Sequence, residues 1–78
     1  MILNIEELAL LKIIAEDHHR TKNVAKLIIA IDNCITFGDH LVISIWIADT
    51  IEEIKPDFMS MEEEAVFNKV DSYLAIDQ

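Results

Sequence analysis

Across 78 residues there is one glycine, Gly38, and one proline, Pro56. A β-rich domain of this size needs a turn every eight to twelve residues or so, and it draws most of them on clusters of Gly, Pro, Asn and Asp. A chain with only two strong breakers is therefore predicted to fold as a few long helices.

The helix starts have their own signals. Asn4 and Glu7 stand at capping-box spacing, in which each side chain satisfies an orphan N–H at a helix N-terminus. A first helix is predicted over about 5–19 from that cap. At about 100° per residue, Leu8, Leu11, Ile14, Ala15 and His18 make one stripe, and Ile5, Ala9 and Ile13 a second that is broken by Lys12 and Glu16. Two apolar sides imply two packing partners. Thr21 is the cap of a second helix over 22–37, with Val24, Leu27, Ile28, Ile31, Cys34 and Ile35 on one face. Gly38 falls at the C′ position, where a positive φ is wanted. Asp39 is then the expected N-cap of a third helix over about 40–54, closed by Lys55 and Pro56 because a residue before proline is pushed out of the helical region. Ser60 and Glu63 repeat the capping box. Glu62, Glu63 and Glu64 complement the positive end of the helix dipole, and a fourth helix over about 61–75 buries Val66, Phe67, Val70, Tyr73 and Leu74.

One stretch is ambiguous. LVISIWI, residues 41–47, alternates β-branched residues in a way that also suits a strand. The helical reading is preferred because Ile43, Ile47, Ile51 and Ile54 continue a helical stripe, while only KLIIAI could pair with such a strand and a lone hairpin is marginal in water. A helix here has Leu41, Val42, Ile45 and Trp46 off the isoleucine stripe and is apolar nearly all round. These four residues are the expected self-association surface. A 78-residue domain hides only about 60–65% of its unfolded surface, whereas 53% of these residues are hydrophobic and 14 are isoleucine. The expectation is a single all-α domain over 1–78, a small four-helix antiparallel up-and-down bundle that forms a homodimer or other homo-oligomer.

The formal charge of −9 is unevenly placed, with six acids and four bases in residues 1–39 against nine acids and two bases in 40–78. Such a field repels nucleic acid and anionic membrane and attracts basic protein surfaces. Glu52, Glu53, Glu62, Glu63 and Glu64 flank one connection and are the expected partner-binding residues. The longest uncharged run, His40 to Ala48, is far short of the roughly 20 residues that span a bilayer. MILNIEELALL carries Glu6 and Glu7 without a basic flank, unlike a signal peptide, so a cytoplasmic location is expected. Cys34, the single cysteine, cannot form an internal disulfide and lies on an apolar face.

Catalytic chemistry has little to build on. EDHHR, residues 16–20, sets Glu16 and His19 at the Glu-x-x-His spacing of carboxylate-bridged metal bundles, but those need two such motifs and two further carboxylates. A zinc site from His18, His19, His40 and Asp17 or Asp39 is chemically competent, although adjacent helical histidines point about 100° apart. His19, Arg20, Lys22 and Lys26 gather base at a helix start, where an anion could dock. Neither Cys34 nor Ser44 has a neighbouring base to activate it, and no glycine-rich phosphate loop is present. No enzyme and no cofactor are expected. The leading function is a non-catalytic acidic module that blocks or regulates a protein partner with a basic or apolar surface, as inhibitors, immunity proteins, antitoxins and phage anti-defence proteins do. Two alternatives are a metal- or anion-binding helical homo-oligomer around Glu16 and His19, and a structural subunit of a larger assembly.

Overall fold

In the computed structural model, which describes residues 3–18, 21–39, 41–42 and 44–76 (73–76 by backbone alone), the chain forms four helices. They are α1 (Ile5–Asp17), α2 (Lys22–Phe37), α3 (Ile45–Glu53) and α4 (Met61–Ile76). No strand occurs among the described residues.

Three of the starts form as their spacing dictates. Asn4 Oδ1 accepts the Glu7 N–H at 2.8 Å while Glu7 Oε1 accepts the Asn4 N–H at 3.1 Å. Ser60 Oγ accepts the Glu63 N–H at 3.2 Å and Glu63 Oε1 the Ser60 N–H at 3.1 Å. Thr21 Oγ1 accepts the Val24 N–H at 3.2 Å. Gly38 closes α2 in the left-handed region, φ 69° and ψ 19°, where a Cβ costs about 1–2 kcal/mol. α1 ends at Asp17, two residues before the predicted limit. Its C-cap His18 is half-buried, and the ring Nδ1–H donates to the Ile14 carbonyl at 2.9 Å, so this histidine serves a helix end that has no basic residue in its last turn.

The third start departs from expectation. Neither Asp39 nor Leu41 and Val42 are helical, and α3 opens at Ile45 behind Ser44. Leu41, expected on an exposed self-association face, is 5% exposed and belongs to the core. The β-branched run lowers the local preference for helix, and holding the chain open before Ile45 lets Leu41 reach inward while α3 still turns Ile47, Ile51 and Ile54 toward the same interior. The connection is consequently 38–44 rather than the two residues expected. Ile43, the first member of the predicted stripe, and His40 lie outside the described residues.

The core draws on every helix: Leu8, Leu11, Ile14 and Ala15 of α1, Val24, Leu27, Ile31 and Cys34 of α2, Ile47 and Ile51 of α3, and Val66, Phe67 and Val70 of α4, joined by Leu3, Leu41 and Ile54 from the flanks. Each fully buried Leu, Ile or Phe contributes about 1.5–3 kcal/mol from its removal from water. Consecutive helices pack on one another and α4 returns to α1, with the α1–α2 interface the most extensive. The radius of gyration is 11.4 Å, matching the roughly 11.5 Å expected of a close-packed chain of this length. Thr50, the one buried polar residue among those described, is satisfied within its own helix by donating to the Trp46 carbonyl at 2.6 Å. Predicted burial of Tyr73 and Leu74 falls on side chains outside the described set.

Candidate functional site

The second strip of α1 stays largely uncovered. Although α1 does pack on both α2 and α4, Ile5 and Ile13 remain more than half exposed. Ala9, Leu10 and Ile13 face Ala65 and Val66 across an open groove of about 650 Å³ rimmed by Asn4, Glu6, Glu7, Glu62 and Lys69. Lys69 Nζ donates to Glu7 Oε1 at 2.8 Å and ties α4 to the α1 cap. Burial tends to raise the Glu7 pKa, but the Lys69 hydrogen bond, the Asn4 N–H and the Lys69 charge outweigh it and hold the carboxyl below its ordinary value. On the other side of α1, Lys12 donates to Asp32 at 2.8 Å and lies 3.9 Å from Glu16, joining α1 to α2. The Asp32 hydrogen bond pushes the Lys12 pKa up.

These are the ion pairs among the described residues, and none reaches the connection between α3 and α4. Residues 52–64 carry six acids, Glu52, Glu53, Asp57, Glu62, Glu63 and Glu64, against Lys55 alone. Glu63 is committed to the Ser60 cap; Glu52, Glu53, Asp57, Glu62 and Glu64 are exposed. Between them in sequence stand Phe58, 95% exposed, on a loop anchored by buried Ile54 and half-buried Pro56, and Met61, 87% exposed, the first residue of α4. The expected acidic residues thus flank one connection in sequence, and between them lies an exposed apolar pair that the sequence reading did not single out. An aromatic residue stranded between a proline and a capping-box serine was the available signal. Phe58 cannot belong to α3, which Pro56 terminates, nor to α4, which Ser60 begins.

The acids at the two helix ends differ in their effect. Glu62 and Glu64 complement the positive N-terminal end of α4, whereas Glu52 and Glu53 occupy the last turn of α3, where the dipole is negative and no basic residue is present. Carboxylates there oppose the helix by about 0.3–1 kcal/mol each at low salt.

At the other end of α3 the surface is apolar without charge. Val42 is 75% exposed, Ile45 83%, Trp46 41% and Phe37 71%. Of the four expected self-association residues, Val42, Ile45 and Trp46 are therefore exposed and Leu41 is not; Phe37, at the end of α2, is exposed as well. Ser44, in the middle of this segment, makes no side-chain cap bond, and its Oγ is buried without a partner.

His19 and Arg20 lie outside the described residues, so the Glu16–His19 pairing and the basic cluster with Lys22 and Lys26 do too. Glu16 is exposed beside Lys12. Among the described residues no group of three His, Cys, Asp or Glu side chains converges as a metal site would. Burial, with the Asp39 charge adding to it, pushes the Cys34 thiol pKa up, which disfavours the thiolate. Among the described residues no helix is long and apolar enough to cross a membrane. Compared with protein-family models, curated proteins and solved structures, the chain has no significant match.

Proposed function

We propose that this protein is a non-catalytic binding module that docks its α3–α4 connection on another protein and blocks or regulates the surface it covers. The observation that carries the reading is the exposure of Phe58 and Met61 on a stretch flanked by the exposed acids Glu52, Glu53, Asp57, Glu62 and Glu64, none of which is in an ion pair among the described residues. An aromatic anchor surrounded by polar residues is the common form of an interface hot spot, in which truncation costs about 2 kcal/mol or more. Unpaired carboxylates steer a partner of opposite charge and set its orientation. The matching partner surface is an apolar pocket rimmed by Lys and Arg. Glu52 and Glu53 support the same reading, since they sit where they weaken α3, and side chains kept against local stability are common at functional sites.

The test uses a host-cell protein captured by the immobilised chain, then purified and titrated against it across a salt series. Phe58→Ala is expected to weaken the affinity about 30-fold. Glu52, Glu53, Glu62 and Glu64 changed together to Gln, with Ser60 and Glu63 retained, should lower the association rate and flatten its dependence on salt. A partner bound equally well by both variants would overturn the assignment.

A further inference from the structure

We propose that the uncharged apolar face at the start of α3, formed by Phe37, Val42, Ile45 and Trp46, is an interface between two copies of this chain related by a twofold axis. The proposal is independent of the α3–α4 docking reading. It rests on area and on charge.

From their fractional exposures, the four side chains present about 500 Å² per copy, at the upper end of the largest apolar patch on an ordinary monomer. A symmetric pair that covered all of it would remove at most about 1,000 Å² from water through these residues, the lower limit for a specific interface, so neighbouring residues must contribute as well. All four lie within the ten residues 37–46, so an isologous contact needs only one short segment from each copy.

Charge selects the occupant. Each copy carries −9, so two copies repel wherever acidic surface meets acidic surface. The stretch that carries Phe58 and Met61 holds six acids and one lysine in residues 52–64, and the α1–α4 groove is rimmed by Glu6, Glu7 and Glu62 with Lys69 already paired. Both would oppose a second copy. Between Asp39 and Asp49 there is no Asp, Glu, Lys or Arg, and His40 is the one titratable side chain. This is the part of the exposed apolar surface on which a like-charged molecule can approach closely, and a strongly basic partner gains no electrostatic advantage there. Exposed Asp39 and Asp49 at its edges make the pairing respond to salt in a defined direction. Screening the mutual repulsion should tighten it, whereas contact with a basic partner loosens as salt rises.

Sedimentation equilibrium of the full chain from 1 to 100 µM, in 50 and 500 mM NaCl, tests this directly. The expected result is a reversible dimer of twice the 8.9 kDa chain mass, with a dissociation constant at least threefold lower at the higher salt. Trp46, the single tryptophan, should show emission that shifts to the blue with concentration along the same isotherm. Ile45→Glu and Val42→Glu replace side chains that support no core contact. Each should raise the dissociation constant at least 30-fold with unchanged far-UV circular dichroism, while Phe58→Glu should leave it unaltered. A chain that stays monomeric at 100 µM in both salts would refute the interface. So would a dimer that survives Ile45→Glu and Val42→Glu, or one that Phe58→Glu dissolves.

Discussion

Two serines stand directly before helices in this chain, and only one of them caps. Ser60 is followed three residues later by Glu63, and the two exchange backbone hydrogen bonds to start α4. Ser44 is followed at the same spacing by Ile47, which is buried. An apolar third residue cannot reach back to the Ser44 N–H, and the Ser44 hydroxyl is left buried and unpaired. Where the N3 position is free for a polar side chain, local stereochemistry decides where the helix begins. A buried N3 residue removes only the reciprocal bond, since Thr21 still accepts from the N–H of buried Val24. At Ser44 the hydroxyl makes no cap bond either, and packing rather than capping sets the start of α3. The same contrast extends to the two connections: the first carries one acid, exposed Asp39, beside its exposed apolar residues, whereas six acids lie in residues 52–64 around the second.

The largest effect should come from the two adjacent residues that divide the first connection. Leu41→Ala is expected to cost about 2–4 kcal/mol as a buried side chain is lost, while Val42→Ala, at an exposed site, should stay within about 0.5 kcal/mol. Urea unfolding at low protein concentration, where self-association does not contribute, measures both. Equal losses would mean that Leu41 is not the inward member of the pair. Gly38→Ala comes next, at about 1–2 kcal/mol, because nothing crowds a new Cβ there and the cost is entirely that of a left-handed residue.

The serines give the sharpest version of the contrast. Ser60→Ala should lose about 1 kcal/mol, a fall of roughly 4–8 °C in Tm for a domain of this size. Ser44→Ala should be neutral or stabilising by up to about 1 kcal/mol, because it removes an unpaired buried hydroxyl. If thermal melts gave the two alanine variants the same penalty, Ser44 would have to be capping in solution. Smaller again are the opposed charge effects around α3–α4. Changing Glu52 and Glu53 to Gln should raise stability by about 0.5 kcal/mol at low salt, and changing Glu62 and Glu64 should lower it by a similar amount, with both effects fading at high salt.

The smallest effect lies away from both connections. The folded-state pKa of Glu7 is lowered from the ordinary carboxylate value of 4.5, so its contribution is present above that value and is lost as the pH falls through the lower folded pKa. With Lys69 about half exposed, the pair is worth less than about 1 kcal/mol. Parent and Glu7→Gln melting curves should therefore differ at pH 6 and converge toward pH 3, and a constant gap would show that the capping geometry, rather than the ionised carboxylate, carries the effect.

What the sequence determined by itself is the part governed by short-range stereochemistry. The caps at Asn4, Thr21 and Ser60, the left-handed stop at Gly38, the end of α3 before Pro56 and the buried stripes of α1 and α2 all involve residues within about four positions of one another, and each was legible from residue type and spacing. The collection of acids at the α3–α4 connection was equally readable, because a short turn keeps neighbours in sequence close in space. The start of α3, the inward turn of Leu41 and the exposure of Phe58 and Met61 were decided by tertiary structure. Residues 41–47 are apolar on every side, so their pattern contains no polar face to orient the segment, and the outcome depends on how much room α2 and α4 leave beside them. The uncovered strip of Ile5, Ala9 and Ile13 has the same origin: periodicity marks a face as apolar, but only the placement of α4 settles whether the chain itself covers it.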